Sequence, residues 1–207
     1  PNEVHHPPAR KGSQKTNATY KSGYELYCPY MCKCDFTKFA IHCVDGFDKD
    51  MRMVSSVPDV PRETKLLSLS SVFYKLSCNM FSRLDILQSL VLKETNKLTE
   101  IRHIDKDTFA GMASLKDLQL HGINLSNITL QQQLSNAVIH IKNITKLALN
   151  YCNLNSFPTY VLRSLIYLEE ITLIGNPVTY IKVDPNMQPL RYVNLLRVAS
   201  TTDEGAH

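Results

Sequence analysis

Aliphatic residues recur along this chain in triplets with the spacing leucine-x-x-leucine-x-leucine. The triplets have Leu90, Leu118, Leu147, Ile171 and Val193 at their centres, so they return every 22 to 29 residues. A period of this length is typical of a solenoid, in which each turn contributes one short strand and stacks on the next. Because an isolated turn cannot bury its own apolar side chains, the repeats predict one continuous core shared by successive turns.

Each triplet predicts a short β-strand, in which alternate side chains face opposite sides. Leu67 and Leu69 supply an incomplete earlier turn, in which Thr64 stands where a leucine is expected. The predicted strands cover residues 66–70, 89–93, 117–121, 146–150, 170–174 and 192–196. Parallel pairing of these strands points the leucines inward and the intervening side chains outward onto one concave face. The predicted fold class is therefore an α/β solenoid, a horseshoe with a parallel concave β-sheet.

The segments between the strands carry a second apolar set, which is predicted to cover the core from outside. Its members are Phe81, Leu84, Phe109, Met112, Val138, Ile141, Val161, Leu162 and Leu165. Asn176 follows Leu173 by three residues, where its amide is expected to bond backbone groups that the sharp turn leaves unpaired. Cys152 takes the equivalent position one turn earlier and is expected to be a buried free thiol.

Composition divides the chain into four segments. Residues 1–23 contain four basic residues, one acidic residue and little apolar content, which predicts a disordered basic leader; a site for heparan-like polyanions is the alternative. Residues 24–46 are cysteine-rich, residues 47–198 hold about six repeat turns, and residues 199–207 form a polar tail. No apolar stretch is long enough to span a bilayer, so any membrane attachment is expected through a segment outside this chain.

Two independent features indicate an extracellular protein. Cys28, Cys32, Cys34 and Cys43 lie within sixteen residues, a density typical of disulfide-bonded units in oxidising compartments. Sequons for N-linked glycosylation occur at Asn17, Asn124, Asn127 and Asn143. Sequence alone allows three disulfide pairings of four cysteines. A zinc site made of the four thiolates is an alternative, which the tight Cys32-x-Cys34 spacing fits poorly.

The run Cys28-Pro29-x-x-Cys32-x-Cys34, followed by Cys43 and then by the repeats, resembles the N-terminal flanking domain of extracellular leucine-rich-repeat proteins. Slit, the Toll-type receptors and many neuronal adhesion proteins belong to that group. The resemblance covers residues 28–198. It implies that Cys28 pairs with Cys34 and Cys32 with Cys43, forming a disulfide-bonded cap over the first turn. Cys78 is left free or paired with another molecule.

The chain contains no Gly-rich phosphate loop, no G-x-S-x-G motif and no H-E-x-x-H motif, and its seven histidines are scattered. We therefore expect a binding module rather than an enzyme, with no cofactor, no metal and no nucleic-acid partner. The last turn has an apolar edge that a longer ectodomain, a partner or a second copy of the chain would cover, so a homodimer is one expectation.

The outward strand positions mix apolar and polar side chains, as specific protein interfaces do. The predicted ligand-binding residues are Val91, Lys93, Asp117, Gln119, His121, Lys146, Asn150, Glu170, Thr172, Ile174, Tyr192 and Asn194. The favoured function is protein recognition through this face, by the ectodomain of a cell-surface receptor or adhesion protein that binds a protein ligand or co-receptor. The alternatives are a secreted antagonist or matrix protein, and innate-immune recognition of a microbial or glycan ligand.

Overall fold

Ten strands and two α-helices are present in the described part of the chain. The computed structural model describes residues 26–29, 32–44, 57–71, 75–94, 101–178 and 190–194. The strands are β1 Cys32–Asp35, β2 Ala40–Val44, β3 Leu66–Ser71, β4 Lys75–Leu76, β5 Ser89–Glu94, β6 His103–Ile104, β7 Asp117–His121, β8 Lys146–Asn150, β9 Glu170–Thr172 and β10 Tyr192–Asn194. The helices are α1 Ile128–Ala137, continued by a 3-10 turn at Val138–Ile141, and α2 Thr159–Leu162.

Eight of the strands form one sheet in the order β1-β2-β3-β5-β7-β8-β9-β10. Only the first pair, β1 with β2, is antiparallel; every later pair is parallel. The six predicted solenoid strands are confirmed, although β9 ends at Thr172, two residues before its predicted end. The predicted leader 1–23, the tail 199–207, Asn17 and the predicted end of the last strand lie outside the described residues.

The core lies between the sheet and the return segments. The inward leucines Leu90, Leu92, Leu118 and Leu120 are fully buried, as the alternation predicts. Every member of the second apolar set is buried as well, and the set includes a stacked pair of rings from successive turns, Phe81 and Phe109, whose centroids are 6.0 Å apart. Burial of one such side chain contributes about 1.5–3 kcal/mol. The core therefore supplies the main stabilisation, and it is shared between turns.

The longest repeat makes room for a helix on the outer side. Helix α1 begins after Asn127, whose side-chain Oδ1 accepts a hydrogen bond from the backbone N–H of Thr129 at 2.7 Å. This is an N-cap, which satisfies one of the unpaired donors at the helix start. Leu130 and Leu134 turn toward the core from this helix. No helix among the described residues has the length and apolar character needed to cross a membrane.

Asn176 joins two successive turns through its buried amide. Its Oδ1 accepts hydrogen bonds from the backbone N–H groups of Cys152 and Leu154, at 2.9 and 3.1 Å. Its Nδ2 donates to the carbonyls of Leu149 and Leu173, at 2.6 and 2.9 Å. The predicted role of Asn176 is confirmed. The side chain replaces backbone partners that the sharp turn removes, which lets the chain reverse inside the core without unpaired polar groups.

The cap closes the N-terminal edge of the sheet. Strand β2 pairs in parallel with β3, and the β1–β2 hairpin carries the disulfides Cys28–Cys34 and Cys32–Cys43. The pairing implied by the resemblance is confirmed. The zinc alternative is wrong, because all four sulfurs are consumed in disulfides. Without the hairpin, β3 would expose unpaired backbone groups and the apolar side chains behind them.

Replacing Asn176 by alanine is expected to lower the free energy of unfolding by about 3 kcal/mol, because buried donors and acceptors on two turns lose their partners. Urea denaturation followed by circular dichroism measures the change. Asn136→Ala, at an exposed position of α1, is the control and should change stability by less than about 0.5 kcal/mol. Equal effects of the two substitutions would contradict the structural role of Asn176.

Replacing both Cys32 and Cys43 by alanine is expected to destabilise the protein by about 2–3 kcal/mol, the loop-closure contribution of a bridge of this span. Removing Cys28 and Cys34 should cost less, because that bridge closes a separation of 6 residues instead of 11. Thermal and urea denaturation of the two double variants show which disulfide contributes more to stability. Cys78→Ser, which alters an exposed free thiol, is the matched control. The reverse order of the two bridges would count against the loop-closure argument.

Candidate protein-binding surface

The strand register aligns the outward side chains into rows that cross the concave face. The central row comprises Ser68, Val91, Gln119, Ala148, Thr172 and Asn194, each paired with the next through its backbone. Most of these side chains are small. Because neighbouring strands lie about 4.8 Å apart, the five steps of the row span roughly 24 Å. The sequence-predicted residues Val91, Gln119, Thr172 and Asn194 are therefore brought together on one continuous strip.

A charged row lies on one side of the central row, at the start of the strands. Asp117 Oδ2 accepts hydrogen bonds from Ser89 Oγ at 3.0 Å and from Gln119 Nε2 at 2.9 Å. One step along, Lys146 Nζ lies 2.9 Å from Glu170 Oε2, and this contact raises the pKa of the lysine. Both members of the pair are well exposed, so it adds little stability and remains available to a partner.

The row on the other side contains Lys93, His121, Asn150 and Ile174. His121 Nε2 lies 3.4 Å from Gln119 Oε1. Burial lowers the pKa of the His121 imidazole, the charge of Lys93 lowers it further, and Asp117 opposes both. The imidazole is therefore neutral at neutral pH, and it ends a polar chain that runs from Ser89 across the centre of the face.

Asn150 differs from the other predicted contact residues. Its side chain is 8% exposed, and its Oδ1 accepts a hydrogen bond from the backbone N–H of Ile174 at 3.0 Å. The structure therefore gives Asn150 a role in holding the turn after β9, and it offers little surface to a ligand. The alternation pattern does not separate these two roles, because it reports only the direction of a side chain.

The last described strand presents the most exposed apolar groups of the face. Tyr192, a predicted contact residue, is 54% exposed. Its neighbour Val193 is an inward ladder position, yet it is 39% exposed, since β10 is the terminal strand of the described sheet. Ile174, which follows the preceding strand β9 in the row on the other side of the face, is half-buried. The apolar side chains of the face are thus concentrated in the last described turns of the solenoid, and Val91 lies nearer the N-terminal cap.

Three predicted glycosylation sites lie away from the concave strands. Asn124 is half-buried, and its Oδ1 accepts hydrogen bonds from the Ser126 backbone N–H and from Asn153 Nδ2. Asn127 is exposed and caps α1 through Oδ1, which leaves its Nδ2 for a sugar. Asn143 lies on the turn that precedes β8. None of the three asparagines lies within a strand of the sheet.

The two remaining cysteines differ in their surroundings. Cys152 is buried, as predicted, and burial raises the pKa of its thiol to about 12. Cys78 is exposed, and its sulfur lies with carboxylate oxygens of Asp105 and Asp107 within a 4.8 Å cluster. Both carboxylates already serve the local turn: Asp105 Oδ1 accepts from the Asp107 backbone N–H at 2.9 Å, and Asp107 pairs with His140 at 3.0 Å.

Sequence reasoning missed the exposed apolar pair Ile166 and Tyr167, which are 52% and 56% exposed. They stand between the buried Leu165 and Leu168, outside the ladder spacing. Their position immediately before a ladder residue is only a weak sequence signal of exposure. A side chain at that position faces either solvent or a neighbouring turn, and the packing of the loop decides which.

Comparison with solved structures identifies the architecture. The chain is similar to human 5T4, which is also called trophoblast glycoprotein and Wnt-activated inhibitory factor 1. The structural match covers 86% of this chain and 82% of the 5T4 chain, with a TM-score of 0.53 and 15% sequence identity. That protein is a leucine-rich-repeat glycoprotein with a cysteine-rich N-terminal cap.

The fold is that of a leucine-rich-repeat protein. No family model and no curated protein matches the sequence. A structural likeness at this identity shows a shared fold, and the leucine-rich-repeat scaffold supplies the concave sheet on which the three rows stand.

The depressed pKa of His121 predicts a pH-dependent stability. The unfolded imidazole has a pKa of about 6.5, so below that pH the unfolded chain binds the proton more readily and the free energy of unfolding falls. His121→Gln should remove this part of the acid destabilisation. The measurement is urea denaturation of both proteins at pH values of about 7.5 and 5. The exposed His103, changed to glutamine, is the control. An unchanged pH dependence in His121→Gln would disprove the assignment.

Proposed function

We propose that this chain is an extracellular recognition module that binds a protein ligand or co-receptor through its concave face. It would act as part of the ectodomain of a cell-surface receptor or adhesion protein. The observation that carries the proposal is the central row of mostly small side chains, about 24 Å long, which is flanked on both sides by mainly polar and charged groups. Small side chains allow the surface of another protein to pack closely against the sheet, and the flanking groups set the orientation of that partner.

The location outside the cell is supported by the chain's own chemistry. Two disulfides within the cap require an oxidising compartment to form and persist. The sequons at Asn124, Asn127 and Asn143 are consistent with the same secretory route. The leucine-rich-repeat fold agrees with this inference, since human 5T4 is itself a glycoprotein by name.

A macromolecular ligand fits the face better than a small molecule does. Small-molecule sites are enclosed clefts with a few convergent polar groups. The three rows instead form an extended and open surface, of the kind that buries about 800 Å² per partner. The exposed side chains of Lys93, Lys146 and Tyr192 carry charge and an aromatic ring, which gives specificity along with contact area.

The apolar groups are the expected anchors of binding. Interface energy is concentrated in a few apolar, aromatic or arginine side chains surrounded by polar contacts that exclude water. Val91, Ile174 and Tyr192 meet this description on the concave face, and the Lys146–Glu170 pair stands between them. We infer that the pair mainly steers the partner, because exposed charges affect the rate of association more than affinity.

Val91→Glu and Ile174→Arg are each expected to weaken partner binding about 10-fold or more, because each places an unpaired charge in the contact. The partner is first identified by screening the secreted protein against an array of extracellular domains. Its affinity for each variant is then measured by biolayer interferometry with purified proteins.

Ile139→Glu is the matched control, because Ile139 is an exposed apolar residue, 54% accessible, on the outer side of the solenoid. It should bind the partner as the wild type does, and circular dichroism should show that all three variants are folded. Equal affinity of Val91→Glu, Ile174→Arg and wild type would place the binding surface elsewhere.

A further inference from the structure

An open groove runs along the edge of the solenoid, next to the starts of strands β7 to β10. Its volume is about 500 Å³, and Lys116, Asn143, Thr145, Ile166, Tyr167 and Arg191 contribute to its wall. We name it the edge groove. It lies on the rim and not on the concave face, since these residues precede the strands. Its wall combines an exposed aromatic ring with charged and hydroxyl groups, a composition suited to a sugar.

The edge groove has a sequon and an exposed aromatic ring on the same wall. Lys146 of β8 pairs with Glu170 of β9, so Asn143 and Tyr167, three residues upstream of each, occupy equivalent positions in adjacent turns. The pairing continues upstream of the strands, because the N–H groups of Glu169 and Glu170 both donate to the carbonyl of Thr145, at 2.9 and 3.0 Å. Asn143 and Tyr167 themselves lie on the turns that precede β8 and β9, and both contribute to the wall of the edge groove.

We propose that the edge groove holds the first N-acetylglucosamine of an N-linked glycan on Asn143, with the apolar face of the sugar ring packed on Tyr167. The proposal rests on the extracellular location inferred above. The bond forms between Asn143 Nδ2 and C1 of the sugar. A lipid-linked oligosaccharyl diphosphate donates the glycan: its bond between C1 and the phosphate oxygen breaks, the lipid diphosphate leaves with the electron pair, and the proton lost by the amide balances the charge of that leaving group. Asn143, Ile144 and Thr145 form the required acceptor sequence.

The chemistry of the wall matches the two sides of the sugar. The C–H groups on one face of a pyranose carry small positive partial charges, and an aromatic face is the negative side of a quadrupole. The hydroxyl and acetamido groups at the ring edge need donors and acceptors. Lys116, whose Nζ donates to the Asn143 carbonyl at 3.3 Å and has further N–H groups, and the exposed Arg191–Glu169 pair, 3.6 Å apart, present such groups in the groove. Covalent attachment makes the contact intramolecular, so even a weak sugar–aromatic interaction is populated.

A bound sugar also accounts for the exposure of Ile166 and Tyr167. Both are more than half accessible and adjacent, on a rim that otherwise carries polar groups. Burial of part of this apolar surface under the sugar stabilises the fifth turn. It also covers an exposed apolar patch on the rim that would otherwise favour nonspecific association. Recognition by proteins is then directed to the concave face.

The test uses the full chain secreted from eukaryotic cells, with Thr19→Ala, Ser126→Ala and Thr129→Ala so that only the Asn143 sequon remains. An endoglycosidase trims the glycan to a single N-acetylglucosamine, and mass spectrometry verifies the product. Its melting temperature is compared with that of the same protein carrying Asn143→Gln. We expect the sugar to raise the melting temperature by about 2–4 °C.

The same comparison is then made with Tyr167 changed. In Tyr167→Ala the sugar should no longer raise the melting temperature, whereas Tyr167→Phe keeps the ring face and should preserve the shift. Tyr160→Ala, at another exposed tyrosine 47% accessible, should also preserve it. An unglycosylated Asn143, or an equal shift in Tyr167→Ala and wild type, would overturn the inference. Neither result affects the concave-face proposal, which partner binding tests separately.

Discussion

Each turn of this protein depends on its neighbours to bury its leucines, and this dependence shapes the rest of the structure. A single strand with two inward leucines leaves one flank of each side chain in water. Parallel pairing in one register removes that exposure, because Leu90, Leu118 and Leu147 stack directly on one another. The same pairing gives the backbone N–H and C=O groups of the strands their hydrogen-bond partners. One arrangement therefore buries the core and completes the backbone hydrogen bonds.

A stack of dependent turns has two vulnerable places, its ends and its sharp corners. At the N-terminal end the cap supplies both a paired strand and a covalent closure, with Cys43 buried against the first turn. At one corner the amide of Asn176 takes the place of missing backbone partners. Both devices solve the same problem, which is that backbone polar groups cannot be left unpaired beside an apolar core.

The register that builds the core also arranges the surface. The row Val91, Gln119 and Ala148 faces outward because its members alternate with inward leucines, and in-register pairing aligns them across the sheet. On the rim, the turns before β8 and β9 both contribute to the edge groove, Asn143 from the first and Tyr167 from the second. Two surfaces of different chemistry therefore follow from one periodic constraint: the concave face, which we propose binds a protein, and the edge groove, which we propose holds a sugar.

Periodicity in the sequence was sufficient to predict the solenoid, its strands and the inward or outward direction of each strand residue. These properties are local, since the spacing of leucines decides which side chains share a face. The role of Asn176 was predictable for the same reason, as its position in the turn repeats.

Tertiary packing decided what periodicity does not encode. Asn150 points outward by alternation, yet it is buried, and its side-chain Oδ1 accepts a hydrogen bond from the backbone N–H of Ile174 in the following turn. Asn143 and Tyr167 both line the edge groove because of how the turns before β8 and β9 pack, which the spacing of leucines does not encode. The disulfide pairing required the hairpin, because four cysteines within sixteen residues permit three connectivities, and only folding brings one pair of sulfurs together rather than another.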